Sequence, residues 1–250
     1  MRTIIEQITR WLPLLCLTML CAACDSGDIE DRGYSIMEHG KVVKLTARVS
    51  GISSWKNGCA VALAGFAKDD NYATMQRTLP ASTADGEEIV LVLNNITEKI
   101  ETVEFAITNN LRKRIITLRS VALADYEDTQ DTIRLDLGNI DVSMFGALQQ
   151  GLFNKACIQC HGGNGRSAAG LNLTEGQALS NLVDVPSTRK EGMVRIQSGN
   201  ASQSLLYQIL SEGGEDILNY NHTEVLSSQF KENRDGILGL IDEWISSLGK

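Results

Sequence analysis

The chain has no excess of basic residues. Its 250 residues include 23 Lys and Arg against 31 Asp and Glu, so that the net charge is −8 at pH 7. Proteins that recognise nucleic acid or anionic lipid through charge carry a basic patch or run, and here the charges are spread along the chain. We therefore expect no nucleic-acid partner and no charge-driven binding to a lipid surface.

Residues that commonly bind metals are also few. The sequence contains only three His and six Cys. A structural zinc site takes four Cys or His ligands, so a site built on the pair Cys157 and Cys160 would need two more ligands that this chain can hardly supply. Zinc binding is therefore the weaker interpretation of this cysteine pair.

A long hydrophobic run is absent as well. The apolar stretch from Trp11 to Ala23 is shorter than the roughly 20 residues that a membrane-spanning helix requires. Because it lies close to the N-terminus and follows Arg2 and Arg10, it is typical of an export signal. We predict that residues 1–24 are a signal peptide.

The end of this signal, Leu20-Cys21-Ala22-Ala23-Cys24, resembles a bacterial lipobox except at Cys21, where that motif usually has Leu. The resemblance implies that Cys24 is acylated and becomes the N-terminus of a lipoprotein. A plain signal peptide and an uncleaved anchor are the alternatives.

Residues 25–33 are acidic and contain glycine, which predicts a flexible tether. We expect a cell-envelope protein anchored by lipid to a bacterial membrane, the outer membrane in particular, facing the periplasm or the cell surface.

Residues 34–142 show the period of two that half-buried strands have. Val43 and Leu45 alternate with polar residues, and so do Val103 and Phe105. About six or seven strands in a segment of this length predict an antiparallel β-sandwich of immunoglobulin-like architecture. No catalytic group stands out in this domain.

Two residues of this domain, Trp55 and Cys59, are candidates for a binding or a packing role. Trp55 could stack on a sugar, which would make the sandwich a carbohydrate-binding module, but a packing role is at least as good an interpretation. Cys59 has apolar neighbours on its C-terminal side and is expected in the core.

The period changes to that of a helix near Ser143, a good N-cap residue. This helix leads to Cys157-Ile158-Gln159-Cys160-His161, which has the spacing of a covalent haem attachment site. Two thiols three residues apart can bond to the porphyrin, and the adjacent imidazole can bind the iron from the same helical turn. Roughly two chance matches are expected per thousand chains of this composition. A redox-active dithiol and half of a zinc site are the other interpretations.

The last helix has the clearest amphipathic pattern, formed by Ile237, Leu240, Ile241, Trp244, Ile245 and Leu248. Together with Cys160-His161-Gly162, Gly170-Leu171-Asn172-Leu173 and Ile241-Asp242-Glu243-Trp244-Ile245, it resembles the class I c-type cytochromes, in particular the short planctomycete-type domains. The resemblance implies a multidomain protein whose residues 143–250 form an all-α cytochrome c domain, with Phe153 and Trp244 packing its first and last helices together. It also implies one covalent haem c, with thioether bonds from Cys157 and Cys160 and with His161 as the proximal iron ligand.

The distal iron ligand departs from that family. Its members usually present a Met-Pro pair before the final helix, whereas this chain reads Asn219-Tyr220-Asn221-His222-Thr223. His222 is the only histidine after His161, and we predict it as the distal ligand. Met193 and an open or water-bound iron are the alternatives. Imidazole in place of a thioether lowers the reduction potential.

A haem with both axial positions filled carries single electrons and leaves no place for a substrate. We predict a membrane-anchored monohaem electron carrier rather than an enzyme, with a redox partner protein in the envelope. A peroxidase is disfavoured, because peroxidases of this type normally carry a second haem and the chain has one attachment motif. The alternative is a haem-based sensor or binding module for a small ligand that uses the β-sandwich for docking.

Overall fold

Seven β-strands make up the first part of the described chain. The computed structural model describes residues 40–55, 58–126, 132–214, 218 and 220–249. The predicted signal peptide, the lipidation site Cys24 and the tether lie outside these residues. The strands are β1 (Lys41–Ser50), β2 (Cys59–Ala67), β3 (Ala73–Thr78), β4 (Glu87–Ile96), β5 (Ile100–Asn109), β6 (Arg114–Ala122) and β7 (Ile133–Asp141), with short 3₁₀ turns at Ile52–Ser54 and Leu123–Tyr126.

The strands form two sheets, with the orders β4-β1-β7 and β3-β2-β5-β6. The predicted strand-rich character of this region is confirmed. Among the described strands, the pairing of β1 with β7 is parallel and the other pairings are antiparallel. The sheets are therefore not purely antiparallel as predicted, because β7 crosses over from the sheet that contains β6 and lies beside β1 in the same direction.

The period of two places one set of apolar side chains in a common core. Leu45 on β1 lies opposite Leu91 on β4 and Leu135 on β7, and Leu63 on β2 lies opposite Phe105 on β5. Leu45, Leu63 and Phe105 are at most 1% exposed. Burying an apolar side chain of this size contributes roughly 1.5–3 kcal/mol, so these positions explain why the alternating pattern folds as sheets.

Short helices make up much of the C-terminal part. They are α1 (Met144–Leu148), α2 (Ile158–His161), α3 (Ala178–Leu182), α4 (Leu205–Glu212), α5 (Thr223–Gln229) and α6 (Arg234–Ser247). A π-helix, Gln149–Cys157, joins α1 to α2. Further 3₁₀ turns lie at Ala168–Gly170, Ala201–Gln203 and Lys231–Asn233.

The predicted all-α cytochrome c domain is wrong. Between α2 and α4 the chain runs largely through turns and isolated β-bridges, such as Val183 with Ile196 and Val194 with Ser204. Among the described α-helices, only α6 is longer than eight residues. Helices this short are not stable by themselves and form where tertiary packing holds them. The described chain is mainly β-sheet with short helices. The helical spacing of apolar residues in a few segments therefore predicted helices there, but not an all-α domain.

The strand-rich and helical parts share one hydrophobic core. All described residues belong to one compact unit, and Leu45 and Phe105 of the sheets belong to the same buried cluster as Leu152 and Ile241. The predicted boundary at Ser143 lies inside this unit. There, Oγ of Ser143 accepts a hydrogen bond from the backbone N–H of Gly146 and caps α1.

The π-helix before the cysteines crosses β6 at a glycine. A Cβ atom on Gly151 would lie 2.3 Å from Cγ1 of Ile116, a buried residue of β6. Lys155 adds a hydrogen bond from Nζ to the carbonyl oxygen of Thr117 at 2.8 Å. π-Helical turns are rare and are often found at functional sites. The close crossing at Gly151 fixes the position of the segment that carries the cysteines against the sheet.

Candidate functional site

A cavity of about 400 Å³ lies beside the predicted attachment site. Its apolar wall includes Leu171, Leu173 and Leu182 from the chain after α2, and Leu206 and Ile209 from α4. Pockets for small molecules and cofactors typically measure about 300–1,000 Å³ and are lined mainly by apolar side chains. The cavity therefore has the character of a binding site for a largely apolar group.

Cys157 and Cys160 both line this cavity. Cys157 ends the π-helix and Cys160 lies in α2, and both are free thiols, the first half-buried and the second exposed. Burial, with a smaller contribution from Cys160, raises the pKa of Cys157 to about 12. A redox-active dithiol acts through a thiolate, so the raised pKa disfavours that interpretation of the pair.

His161 lines the same cavity from the end of α2. Its Nδ1 is 3.0 Å from the carbonyl oxygen of Ala168, and its own carbonyl oxygen accepts a hydrogen bond from the backbone N–H of Leu173 at 2.7 Å. Burial lowers the pKa of His161, although backbone hydrogen bonds oppose this effect. A neutral imidazole that donates from Nδ1 to a carbonyl keeps Nε2 as the atom that can bind a metal.

His222 lines this cavity as well, from the residue before α5. Its Nδ1 is 3.2 Å from the carbonyl oxygen of Tyr220, whose ring meets the imidazole edge-on with 4.9 Å between the ring centroids. Burial lowers the pKa of His222, the hydrogen bond to the backbone of Tyr220 opposes this effect, and the charge of His161 adds to the lowering. Both histidines thus line the same cavity, and each has Nδ1 beside a backbone carbonyl.

Met193, the alternative distal ligand, is placed differently. It is half-buried and is not among the described residues that line the cavity. Its carbonyl oxygen accepts a hydrogen bond from the backbone N–H of Ser187 at 2.8 Å. The structure therefore brings His222, rather than Met193, into the cavity with His161.

Arg195 is a residue of the cavity wall that the sequence did not single out. Its Nη1 donates to the carbonyl oxygen of Asn181 at 2.8 Å, and its Nη2 donates to the carbonyl oxygens of Ala169 and Gly170, each at 3.1 Å. In the sequence, Arg195 is a charged residue between the apolar Val194 and Ile196. This pattern could have identified it as part of a largely apolar wall.

The residues of this cavity fit a covalently bound haem. Two thiols lie on its wall at attachment spacing, and two imidazoles line it, each with Nδ1 beside a backbone carbonyl. Its remaining wall is mainly apolar, as a porphyrin ring requires. Cys157 and Cys160 would hold the group, and His161 and His222 would bind its iron.

Trp55 and Cys59, the two residues of the strand-rich part discussed above, both pack against the core. Trp55 also donates from Nε1 to the carbonyl oxygen of Val142 at 2.6 Å. Burial, and secondarily the charge of Glu243, raises the pKa of Cys59. These contacts account for both residues by packing.

Two features are absent from the described residues. In this part of the chain, no three side chains of His, Cys, Asp or Glu converge as a metal site would require. None of its helices has both the length and the apolar character needed to cross a bilayer.

No protein-family model, no curated protein and no solved structure matches this chain.

Proposed function

We propose that this protein is a membrane-anchored c-type haem protein that carries single electrons in the bacterial cell envelope. The observation that supports this most strongly is that Cys157, Cys160 and His161 line one apolar cavity together with His222, which is far from them in sequence. The proposal does not depend on an all-α domain, because attachment needs only the short segment that carries the two thiols and the imidazole.

Each of these residues has a defined task. Cys157 and Cys160 would hold haem c through thioether bonds, and His161 and His222 would bind its iron. When bound, the haem supplies a one-electron iron couple. Burial lowers the pKa of both imidazoles, each Nδ1 lies beside a backbone carbonyl, and apolar side chains such as Leu173 line the site.

With two protein ligands on the iron, the site would have no place for a substrate. We therefore propose an electron carrier rather than an enzyme, and the single attachment motif further disfavours a peroxidase. A lipid on Cys24 and the tether of residues 25–33 would keep the protein at the membrane within reach of a redox partner protein. The β-sandwich would then be a docking surface for that partner.

Covalent haem is the decisive measurement. The full-length protein is produced in a periplasm with the haem-maturation machinery, and a denaturing gel is stained for haem. We expect a stained band for the wild type and none for the Cys157→Ala/Cys160→Ala variant, with Cys59→Ala as the matched control that keeps the stain. A colourless wild-type band would end the proposal.

Carbon monoxide separates the electron carrier from the small-ligand sensor. With both imidazoles bound, the ferrous protein should bind carbon monoxide weakly or not at all at equilibrium. Tight binding, seen as a shifted absorption spectrum, would favour a haem-based ligand sensor instead.

A further inference from the structure

Among the described residues, the hydrogen-bond acceptors of the Arg195 guanidinium are all backbone carbonyls. Its three acceptors belong to Asn181, Ala169 and Gly170. Within the part of the chain that the structure describes, no carboxylate forms an ion pair with it. Burial lowers the pKa of Arg195, but a guanidinium starts so far above neutral pH that it stays charged. The cavity wall thus contains a half-buried positive charge whose partners are all neutral.

Two of these carbonyls belong to the turn that orients the proximal imidazole. In the turn Ala168–Gly170, the first carbonyl oxygen contacts Nδ1 of His161, and the next two accept hydrogen bonds from Arg195. Ala169 and Gly170 have φ angles of 54° and 62°. Alanine rarely adopts this left-handed conformation, so the turn needs contacts from outside to keep it. Arg195 provides two of these contacts.

A charge held by neutral dipoles acts differently from a charge in an ion pair. In an ion pair the two opposite charges largely cancel at a distance, whereas carbonyl groups leave the full positive charge on Arg195. Electrostatic interactions are stronger beside an apolar cavity than in water. A positive charge there favours the form of the site that holds one more electron.

We propose that Arg195 is a positioning and electrostatic residue of the haem site. It holds the turn Ala168–Gly170 behind His161, and its unpaired charge raises the reduction potential. This charge offsets part of the lowering that two imidazole ligands cause. The inference rests on the proposed function, since it concerns the redox couple of a bound haem.

Three variants of the full-length, haem-loaded protein separate charge from hydrogen bonding. Arg195→Gln removes the charge and keeps an amide donor, while Arg195→Lys keeps the charge on one nitrogen. Arg48→Gln removes the same charge from an exposed ion pair with Glu88 on the sandwich and is the matched control. Reduction potentials are measured by spectroelectrochemical titration, and the low-spin electron paramagnetic resonance spectrum reports the orientation of the axial ligands.

We expect Arg195→Gln to lower the equilibrium constant for reduction on the order of tenfold, which is 59 mV for a one-electron couple. Arg195→Lys should keep most of the potential and shift the resonance spectrum, because one nitrogen cannot hold both carbonyls of the turn. Arg48→Gln should match the wild type in both measurements. Thr188→Val removes another hydrogen bond to the carbonyl oxygen of Ala169 without changing charge, and should lower the potential less than Arg195→Gln.

A haem-loaded Arg195→Gln variant with the wild-type potential would overturn the inference and leave the proposed function standing. So would an equal fall in potential for Thr188→Val or for Arg195→Lys, because loss of charge could not then be the cause. Should Arg195→Gln fail to load haem, Arg195→Lys still decides the charge assignment by keeping or losing the potential. A wild-type protein without covalent haem would instead remove the proposed function itself.

Discussion

The rings of Phe145 and Trp244 lie 5.2 Å apart between centroids, inclined by 36°. Phe145 also lies 6.4 Å from Phe153 in the π-helix. The family resemblance predicted that Phe153 and Trp244 would join the first and last helices of the C-terminal part. Phe145 contacts both of these rings and therefore links α1, the π-helix and α6 through three aromatic side chains.

Trp244→Ala should destabilise the protein by about 3–5 kcal/mol, the usual cost of removing a large buried aromatic side chain. Trp244 is 3% exposed, so the variant leaves a cavity beside Phe145. Denaturant unfolding followed by circular dichroism measures the change. Trp244→Phe keeps a ring beside Phe145 and should cost clearly less. An equal loss of unfolding free energy in the two variants would show that an aromatic ring beside Phe145 adds no stability.

Gly151→Ala should destabilise the protein by about 1–3 kcal/mol, because the added methyl group overpacks the crossing with Ile116. The matched control is Gly239→Ala in α6, where a Cβ atom would have nothing within 4 Å. That variant should stabilise the protein by about 0.5–1 kcal/mol, since alanine favours a helix interior over glycine. Denaturant midpoints that move in the same direction for both variants would contradict the close crossing.

Glu104→Gln should cost about 3–5 kcal/mol, because it removes the buried carboxylate that pairs with the half-buried Arg114. Oε1 of Glu104 is 2.7 Å from Nη1 of Arg114, and their side chains are 4% and 18% exposed. The control, Glu88→Gln, breaks the exposed pair with Arg48, whose side chains are 60% and 56% exposed. Exposed pairs contribute about 0–1 kcal/mol. If the free energy of unfolding falls equally in the two variants, burial does not determine how much each ion pair stabilises the protein.

His222→Met should raise the reduction potential, because a thioether stabilises the reduced iron relative to imidazole. The oxidised variant should also gain a thioether-to-iron charge-transfer band in its absorption spectrum. Met193→Leu should leave spectrum and potential unchanged, since Met193 does not line the cavity. A wild-type band that disappears in Met193→Leu would identify Met193 as the distal ligand instead.

Asp184 should make the free energy of unfolding decrease as the pH becomes acidic. Hydrogen bonds from the backbone N–H and Oγ of Ser198, at 2.9 and 2.7 Å, lower the pKa of Asp184. The folded pKa lies below the unfolded one, so the contribution is fully present above the unfolded pKa and is lost as pH falls through the folded pKa. Asp184→Asn keeps an acceptor, and asparagine tolerates the left-handed φ of 55° at this position.

Denaturant midpoints measured from neutral pH down to about pH 3 test this linkage. The wild type should lose more stability than Asp184→Asn over the acid range, whereas the two should have parallel profiles near neutral pH. Identical acid profiles for both proteins would mean that Asp184 contributes nothing to the pH dependence.

Local patterns in the sequence determined what depends on neighbouring residues alone. The alternation around Leu45 and Phe105 predicted strands, because a strand presents every second side chain to the same face. The spacing of Cys157, Cys160 and His161 placed three reactive groups on one helical turn, because residues three and four apart lie on the same face of a helix. These inferences required no knowledge of how the chain folds back on itself.

Only the tertiary structure decided which distant residues meet. It paired β7 with β1 in parallel, brought His222 and Arg195 into the cavity with His161, and placed Phe145 against Trp244. It also showed short helices and turns where an all-α domain was predicted, because packing against neighbouring segments, rather than a local period, holds helices this short. Such contacts depend on the shape and packing of the whole core, which one-dimensional spacing does not specify.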